Sequence, residues 1–237
     1  MKKIALAAAV LALGTVSASA ADMAARYNKA PVAVAAVYNW TGFYIGAQAG
    51  GIFGNTDAVS GPFPGAITQT YSYDFTGAVG GGHIGYNWQV SPNWVFGLEG
   101  DGEATSVRDS GIGSLGFFHE THLNWLASAR ARLGYAAGNT LLYVTGGAAF
   151  GEVEITKAAA PGVVPFAVYT DTLTGWTVGA GVEQMFAPNW TGRLEYRYTD
   201  LGETSFQSAL ANSQDYATIK FHAVRAGISY KFGGSPI

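Results

Sequence analysis

Glu120-Thr121-His122-Leu123-Asn124-Trp125-Leu126-Ala127-Ser128-Ala129-Arg130-Ala131-Arg132-Leu133-Gly134-Tyr135 decides how the rest of the chain is read. Taken two residues at a time, one set holds Glu120, His122, Asn124, Ser128, Arg130 and Arg132. The other holds Thr121, Leu123, Trp125, Ala127, Ala129, Ala131, Leu133 and Tyr135, and only Leu126 and Gly134 soften the polar set. Successive side chains of a strand point to opposite faces, so the segment predicts a long strand with one charged and one apolar face; a helix would mix the two sets. Such a strand fits a soluble sheet with its charged face in water, or a membrane barrel with its apolar face in lipid.

The composition separates these cases. Charged residues make up 12% of the 237 residues, against about 25% in soluble domains, while glycines number 33 and aromatics reach 14%. That is too little charge to coat a soluble surface. With no cysteine there is neither a disulfide framework nor a thiolate metal site, and no cofactor or metal is expected.

Met1-Lys2-Lys3, the apolar run Ile4 to Leu13 and Ala18-Ser19-Ala20 have the pattern of a secretory signal, predicting residues 1–20 as a signal peptide cleaved after Ala20. Its apolar run is too short to span a bilayer, which takes about 20 residues. Losing Lys2 and Lys3 leaves 11 basic against 16 acidic residues and moves the net charge from −3 to −5. An acidic exported chain is a poor match for nucleic acid. Beyond the signal no apolar run approaches membrane-helix length, so any membrane crossing is by strands.

Residues 21–39 lack a clean period and read as a periplasmic linker; the barrel is expected over 40–237. The two-residue period starts at Thr41 and recurs over Gly77–Val90, Asn93–Thr105, Glu120–Tyr135, Thr140–Val153, Thr174–Phe186, Trp190–Thr199 and Thr218–Phe232, giving eight strands. Glu152 falls on the apolar parity, predicting a bulge or an exit from the membrane in the fifth strand.

Tight Pro, Gly and Asn turns at Ser91-Pro92-Asn93, Ala136 to Asn139 and Ala187-Pro188-Asn189 alternate with long connections over roughly 55–76, 106–119, 157–173 and 200–217. This is an all-β, eight-stranded antiparallel up-and-down transmembrane β-barrel of the outer-membrane kind, with short turns in the periplasm. The polar parity carries the small residues Gly81, Gly85, Gly147, Gly179, Gly181 and Gly227, which suits an eight-stranded interior only just wide enough for side chains. Trp88, Trp94, Tyr135, Phe186, Trp190, Tyr230 and Phe232 gather on the apolar parity at the short-turn end as an aromatic girdle.

The inward faces carry Arg130, Arg132, Arg193, Arg197, Arg225 and Lys231 against Glu99, Asp101, Glu103, Glu183 and Glu195. Charges removed from bulk water stay ionised where partners replace the lost solvation, so the near balance predicts ion pairs closing the interior. The competing reading of buried membrane charges is a catalytic set or an ion path. His83 and His122 read as inward hydrogen-bonding groups, since no zinc spacing joins them, and His119 as a loop-edge residue. His222 falls on the lipid parity near the long-loop end, where a lipid hydrolase could hold a base, yet no serine accompanies it on that face. Gly80-Gly81-Gly82 and Gly146-Gly147 lack a following Lys-Ser/Thr and read as packing glycines rather than phosphate cradles.

Asn39-Trp40-Thr41-Gly42-Phe43-Tyr44-Ile45-Gly46, Leu142-Tyr143-Val144-Thr145-Gly146-Gly147, Gly175 to Glu183 and Val224 to Phe232 resemble the small outer-membrane immunogenic, porin-like β-barrel proteins of the Omp25/Omp31 type from alpha-proteobacteria. The resemblance covers nearly the whole mature chain. It implies an abundant surface barrel in the Gram-negative cell envelope, a surface antigen with structural or host-contact roles, and it brings no catalytic residues. Such chains commonly finish at the aromatic of the last strand, whereas this one continues from Gly233 to Ile237, so if the assembly machinery reads a terminal aromatic, its recognition here must tolerate that tail or be weaker.

The sequence therefore predicts a structural and surface-interaction protein, not an enzyme, located in the outer membrane. Its expected partners are outer-membrane lipid and lipopolysaccharide, the barrel-assembly machinery during insertion, and host or envelope proteins met through the long loops, including Gly61-Pro62-Phe63-Pro64 and Pro161 to Pro165. A narrow passive channel and an outer-leaflet lipid-modifying enzyme are the alternatives.

Overall fold

The computed structural model describes residues 38–61, 69–112, 118–165, 167–207 and 214–233. The expected signal peptide, most of the linker, the tip 62–68 and the tail 234–237 lie outside the described residues, as does the side chain of His119. Eight strands follow one another: β1 (Gly42–Gly61), β2 (Gln69–Gln89), β3 (Trp94–Ile112), β4 (Phe118–Ala137), β5 (Thr140–Ala158), β6 (Ala167–Ala187), β7 (Trp190–Gln207) and β8 (Gln214–Phe232). Each pairs antiparallel with its sequence neighbours, and β1 pairs with β8, closing the sheet. Through the apolar band, where every strand is paired on both sides, closure leaves no unpaired edge, which is the condition for strands to exist in lipid.

The three short turns share one device. Asn93, Asn139 and Asn189 each accept a backbone N–H with the main-chain oxygen, from Ala136, Met185 and Lys231 at 2.7–2.8 Å. Each also donates its side-chain amide to the carbonyl of that same residue. One asparagine thus satisfies both backbone groups of the adjacent strand where the ladder ends.

The strands run 18–21 residues, longer than the period alone marks. The segments expected as long loops are largely hairpin stems, because β1 continues to Gly61 and β2 begins at Gln69. Towards the hairpin end the contrast between the faces weakens, since the neighbouring Asp171 and Thr172 of β6 are both exposed, and the alternation that marks a strand in sequence fades.

The expected bulge lies elsewhere. β5 runs straight through Glu152, while the register of β4 slips between Leu123 and Trp125, and that of β3 between Ala104 and Val107. The extra residue Asn124 donates to Glu152 at 3.1 Å. A one-residue slip exchanges faces. Leu123 therefore turns inward and is buried, and His122, expected inside, leaves the lumen and meets Glu120 at 2.8 Å.

On the outer face Leu98, Leu194 and Trp176 are half exposed, whereas Glu195 and Arg132 inside are 1% exposed. Along β1 the outward apolar residues run from Phe43 to Phe53. At about 3.3 Å per residue and a tilt near 40°, those ten steps give a band roughly 25 Å tall, the height of an outer-membrane apolar belt.

Candidate functional site: the ion-paired lumen

The lumen is filled in three layers. At the short-turn end Trp40, Val95, Ala136, Leu141 and Met185 form an apolar seal with Tyr38 packed on it. Trp40 is held in this mouth by its backbone N–H on Gln89 at 2.9 Å and its indole N–H on the carbonyl of Gly138 at 3.3 Å. At the hairpin end Ile52, Phe75, Val79, Val107, Leu123, Leu126, Leu173, Leu201, Ile219 and Phe221 form a second, larger apolar cluster. Neither layer was anticipated from the sequence, although its members other than Leu123, which the bulge at Asn124 turns inward, sit on the inward parity and Trp40 just ahead of the first strand. Their signal was inward-parity Val, Leu, Met and Phe at the strand ends, outside the charged middle.

Between the seals lie the charges. Glu99, Asp101 and Glu103 stand in a row on β3, with Arg130 and Arg132 on β4, Glu183 on β6, Arg193, Glu195 and Arg197 on β7, and Arg225 on β8. Across the lumen Arg193 meets Glu99 at 2.5 Å, Arg197 meets Asp101 at 3.0 Å, and Arg225 grips Glu103 through Nε and Nη2 at 2.7–3.1 Å. Arg130 contacts Glu99, Asp101 at 3.1 Å and Glu195 at 3.0 Å. Arg132 pairs with Glu183, and its guanidinium lies 3.8 Å over the ring of Tyr143. The five arginines and five carboxylates cancel. Lys231 stands apart and donates to the carbonyl of Asn39 at the mouth.

Neutral groups complete the network. Tyr44 donates to Glu99 at 2.8 Å and Tyr143 to Glu195 at 3.0 Å; Ser128 donates to Asp101 at 2.5 Å, Thr191 to Glu183 at 2.6 Å and Gln48 to Glu103 at 2.8 Å. Each tyrosine lies over a cross-strand glycine, Tyr44 over Gly85 and Tyr143 over Gly181, and a Cβ on either glycine would collide with the phenol. His83 bonds Ser229 at 2.7 Å inside the barrel. Above Arg225 and Asp101 a void reaches the apolar cluster at Leu126 and Phe221, with room for about one water.

These parallels expose a repeat. Pro92-Asn93-Trp94 with Leu98-Glu99, and Pro188-Asn189-Trp190 with Leu194-Glu195, are the same arrangement 96 positions apart (92 to 188). The repeat places β3 and β7 as counterparts, so the barrel's charge is conveniently counted over β1–β4 and β5–β8. The first carries three luminal carboxylates and two arginines, net −1; the second carries two carboxylates and three arginines, net +1, with Lys231 a further cation apart at the mouth. The opposite charges meet across the lumen, tying one half to the other.

The girdle residues lie outward at the short-turn end, touching as ring pairs: Trp94 with Tyr135 at 5.6 Å, Trp190 with Tyr230 at 5.2 Å, Tyr230 with Phe232 at 4.9 Å, and Trp88 with Phe96 at 6.0 Å between centroids. Phe186 is 61% exposed beside them.

A closed barrel with an apolar, aromatic-rimmed exterior and a charge-balanced interior defines an integral outer-membrane protein. The chain belongs to the outer-membrane β-barrel family: residues 7–232 match the family model described as Outer membrane protein beta-barrel domain. It is 38% identical to the 31 kDa outer-membrane immunogenic protein of Brucella melitensis, over 98% of this chain and 100% of that one. It is 34% identical to the 22 kDa outer membrane protein of Rhizobium leguminosarum bv. viciae, over 86% of this chain and 83% of that one. The crystal structure of OprG from Pseudomonas aeruginosa aligns with 84% of this chain and all of that one, at 11% identity and a TM-score of 0.49. The protein is a surface-exposed outer-membrane barrel of this immunogenic-protein family.

Proposed function

We propose that the barrel is a rigid, closed scaffold that presents its extended hairpins to the cell exterior, that its role is surface interaction and envelope structure, and that it is not an enzyme. The observation that carries this is the three-layered lumen: two apolar seals enclose a neutral ion network among the described residues. The relatives' names, outer-membrane immunogenic proteins, support surface display. The expected contacts follow from position: lipid and lipopolysaccharide around the wall, the assembly machinery during insertion, and host or envelope proteins at the hairpin tips such as Pro161 to Pro165, where Val164 is 85% exposed.

A passive channel would need an open lumen. Folded protein in planar bilayers is therefore expected to give no sustained unitary conductance, while an epitope inserted at Val163 is expected to be labelled on intact cells. Stable, well-defined channels, or labelling only after the cells are lysed, would overturn the proposal.

A further inference from the structure

One feature of the outer face is untouched by the luminal network. Along β8 the outward residues climb from the girdle as Phe232, Tyr230, Ile228, Ala226 and Val224, then change character at His222 and Lys220. In register, His222 lies between Phe53 of β1 and Tyr198 of β7, and Lys220 between Asn55 and Asp200. His222 stacks on Phe53 at 5.5 Å and lies against Tyr198 at 5.1 Å, and its Nδ1 is 2.6 Å from the hydroxyl of Tyr196. Tyr198 continues the wall to Trp176 of β6 at 5.4 Å.

The result is an aromatic wall across four strands at the upper edge of the apolar band, with a cation one row above it. The Lys220 side chain is 43% exposed and only loosely paired, its Nζ 3.8 Å from Asp200. Among described side chains on the outer surface, Lys220 and Arg108 are the cations; the outward side chains at the hairpin end include the acids Asp74, Glu120, Glu152, Glu154 and Asp200. Arg108 sits on β3 in register with His122, away from the wall.

Aromatic side chains with polar tips suit the level where acyl chains give way to headgroups, and their faces pack against the C–H faces of sugar rings. An exposed ammonium there attracts a phosphate through a weakly screened field. We propose that this patch binds the phosphorylated sugar headgroup of an outer-leaflet glycolipid. Lys220 takes the phosphate, His222 donates to it from Nε2, and Trp176 and Tyr198 carry the sugar. The proposal rests on the surface-barrel reading and assigns the glycolipid contact of that reading to particular residues.

The test uses the folded chain, checked by heat-modifiable gel mobility, equilibrated in detergent with bisphosphoryl lipid A and analysed by native mass spectrometry. Dephosphorylated lipid A and phosphatidylglycerol serve as competing probes. Retained bisphosphoryl lipid A is expected to fall about fivefold in Lys220→Ala, to survive in Lys220→Arg, and to be unchanged in Arg108→Ala. Equal retention by wild type and Lys220→Ala, or equal retention of the dephosphorylated lipid or of phosphatidylglycerol, would overturn it. Such a result leaves labelling at Val163 unaffected, so the failure of this site and of surface display are separately visible.

Discussion

Arg225→Met is expected to destabilise the barrel by about 3–5 kcal/mol, the cost of leaving a buried charge without its partner. Arg225 reaches Glu103 through two nitrogens, and without it Glu103 keeps Gln48 at 2.8 Å and Arg197 at 4.0 Å. Neither replaces a two-pronged guanidinium. The double variant Arg225→Met/Glu103→Leu is expected to regain most of the loss, because the pair borders the apolar cluster at Leu126 and Phe221 and its removal extends that cluster downward. Reversible urea unfolding in lipid vesicles measures both. A single-variant cost below about 1 kcal/mol would mean that water already solvates Glu103, and the lumen would then be wet rather than closed.

Leu194→Arg carries the second large effect. Leu194 faces outward on β7 midway between Trp190 and Tyr198, hence near the centre of the apolar band, and is 53% exposed. Arginine at the bilayer midplane of a barrel costs about 2–4 kcal/mol, falling to about 0–1 kcal/mol near the interfaces. Thr218→Arg, on β8 above Lys220, is therefore expected to cost almost nothing in the same unfolding measurement. Equal costs at the two positions would place both in one environment and remove the band.

Much of this architecture was legible in the sequence because a barrel wall separates two environments on a two-residue period. Glu99, Arg130 and Glu195 mark the lumen, and Leu98, Leu133 and Leu194 mark the lipid face, wherever the strand crosses the membrane. Legibility fails where that contrast ends. Towards the hairpin end the contrast fades, as at the neighbouring Asp171 and Thr172 of β6, both exposed, so the upper parts of the strands looked like loop. At Asn124 an inserted residue exchanges the faces, which no parity rule anticipates, and His122 was consequently placed inside. The apolar seals were hidden for another reason: a rule that equates inward with polar passes over Val95, Leu141 and Met185, which are inward and greasy because they lie at the ends of the lumen. The partners of each arginine were not legible either, since pairing across the lumen depends on barrel stagger rather than on spacing along any strand. The repeat of Pro-Asn-Trp with Leu-Glu was available in the sequence and would have placed Glu99 and Glu195 as counterparts.

Orientation of the wall is the claim on which the rest depends, and a nitroxide scan along β8 from Val224 to Phe232 in vesicles tests it. Labels at Val224, Ala226, Ile228 and Tyr230 are predicted to collide freely with oxygen dissolved in the bilayer, and labels at Gly227 and Ser229 to be shielded from both oxygen and a water-soluble nickel chelate. Nickel accessibility at Gly227 and Ser229 would reveal an aqueous lumen, and nickel accessibility at Ala226 and Ile228 would turn the barrel inside out.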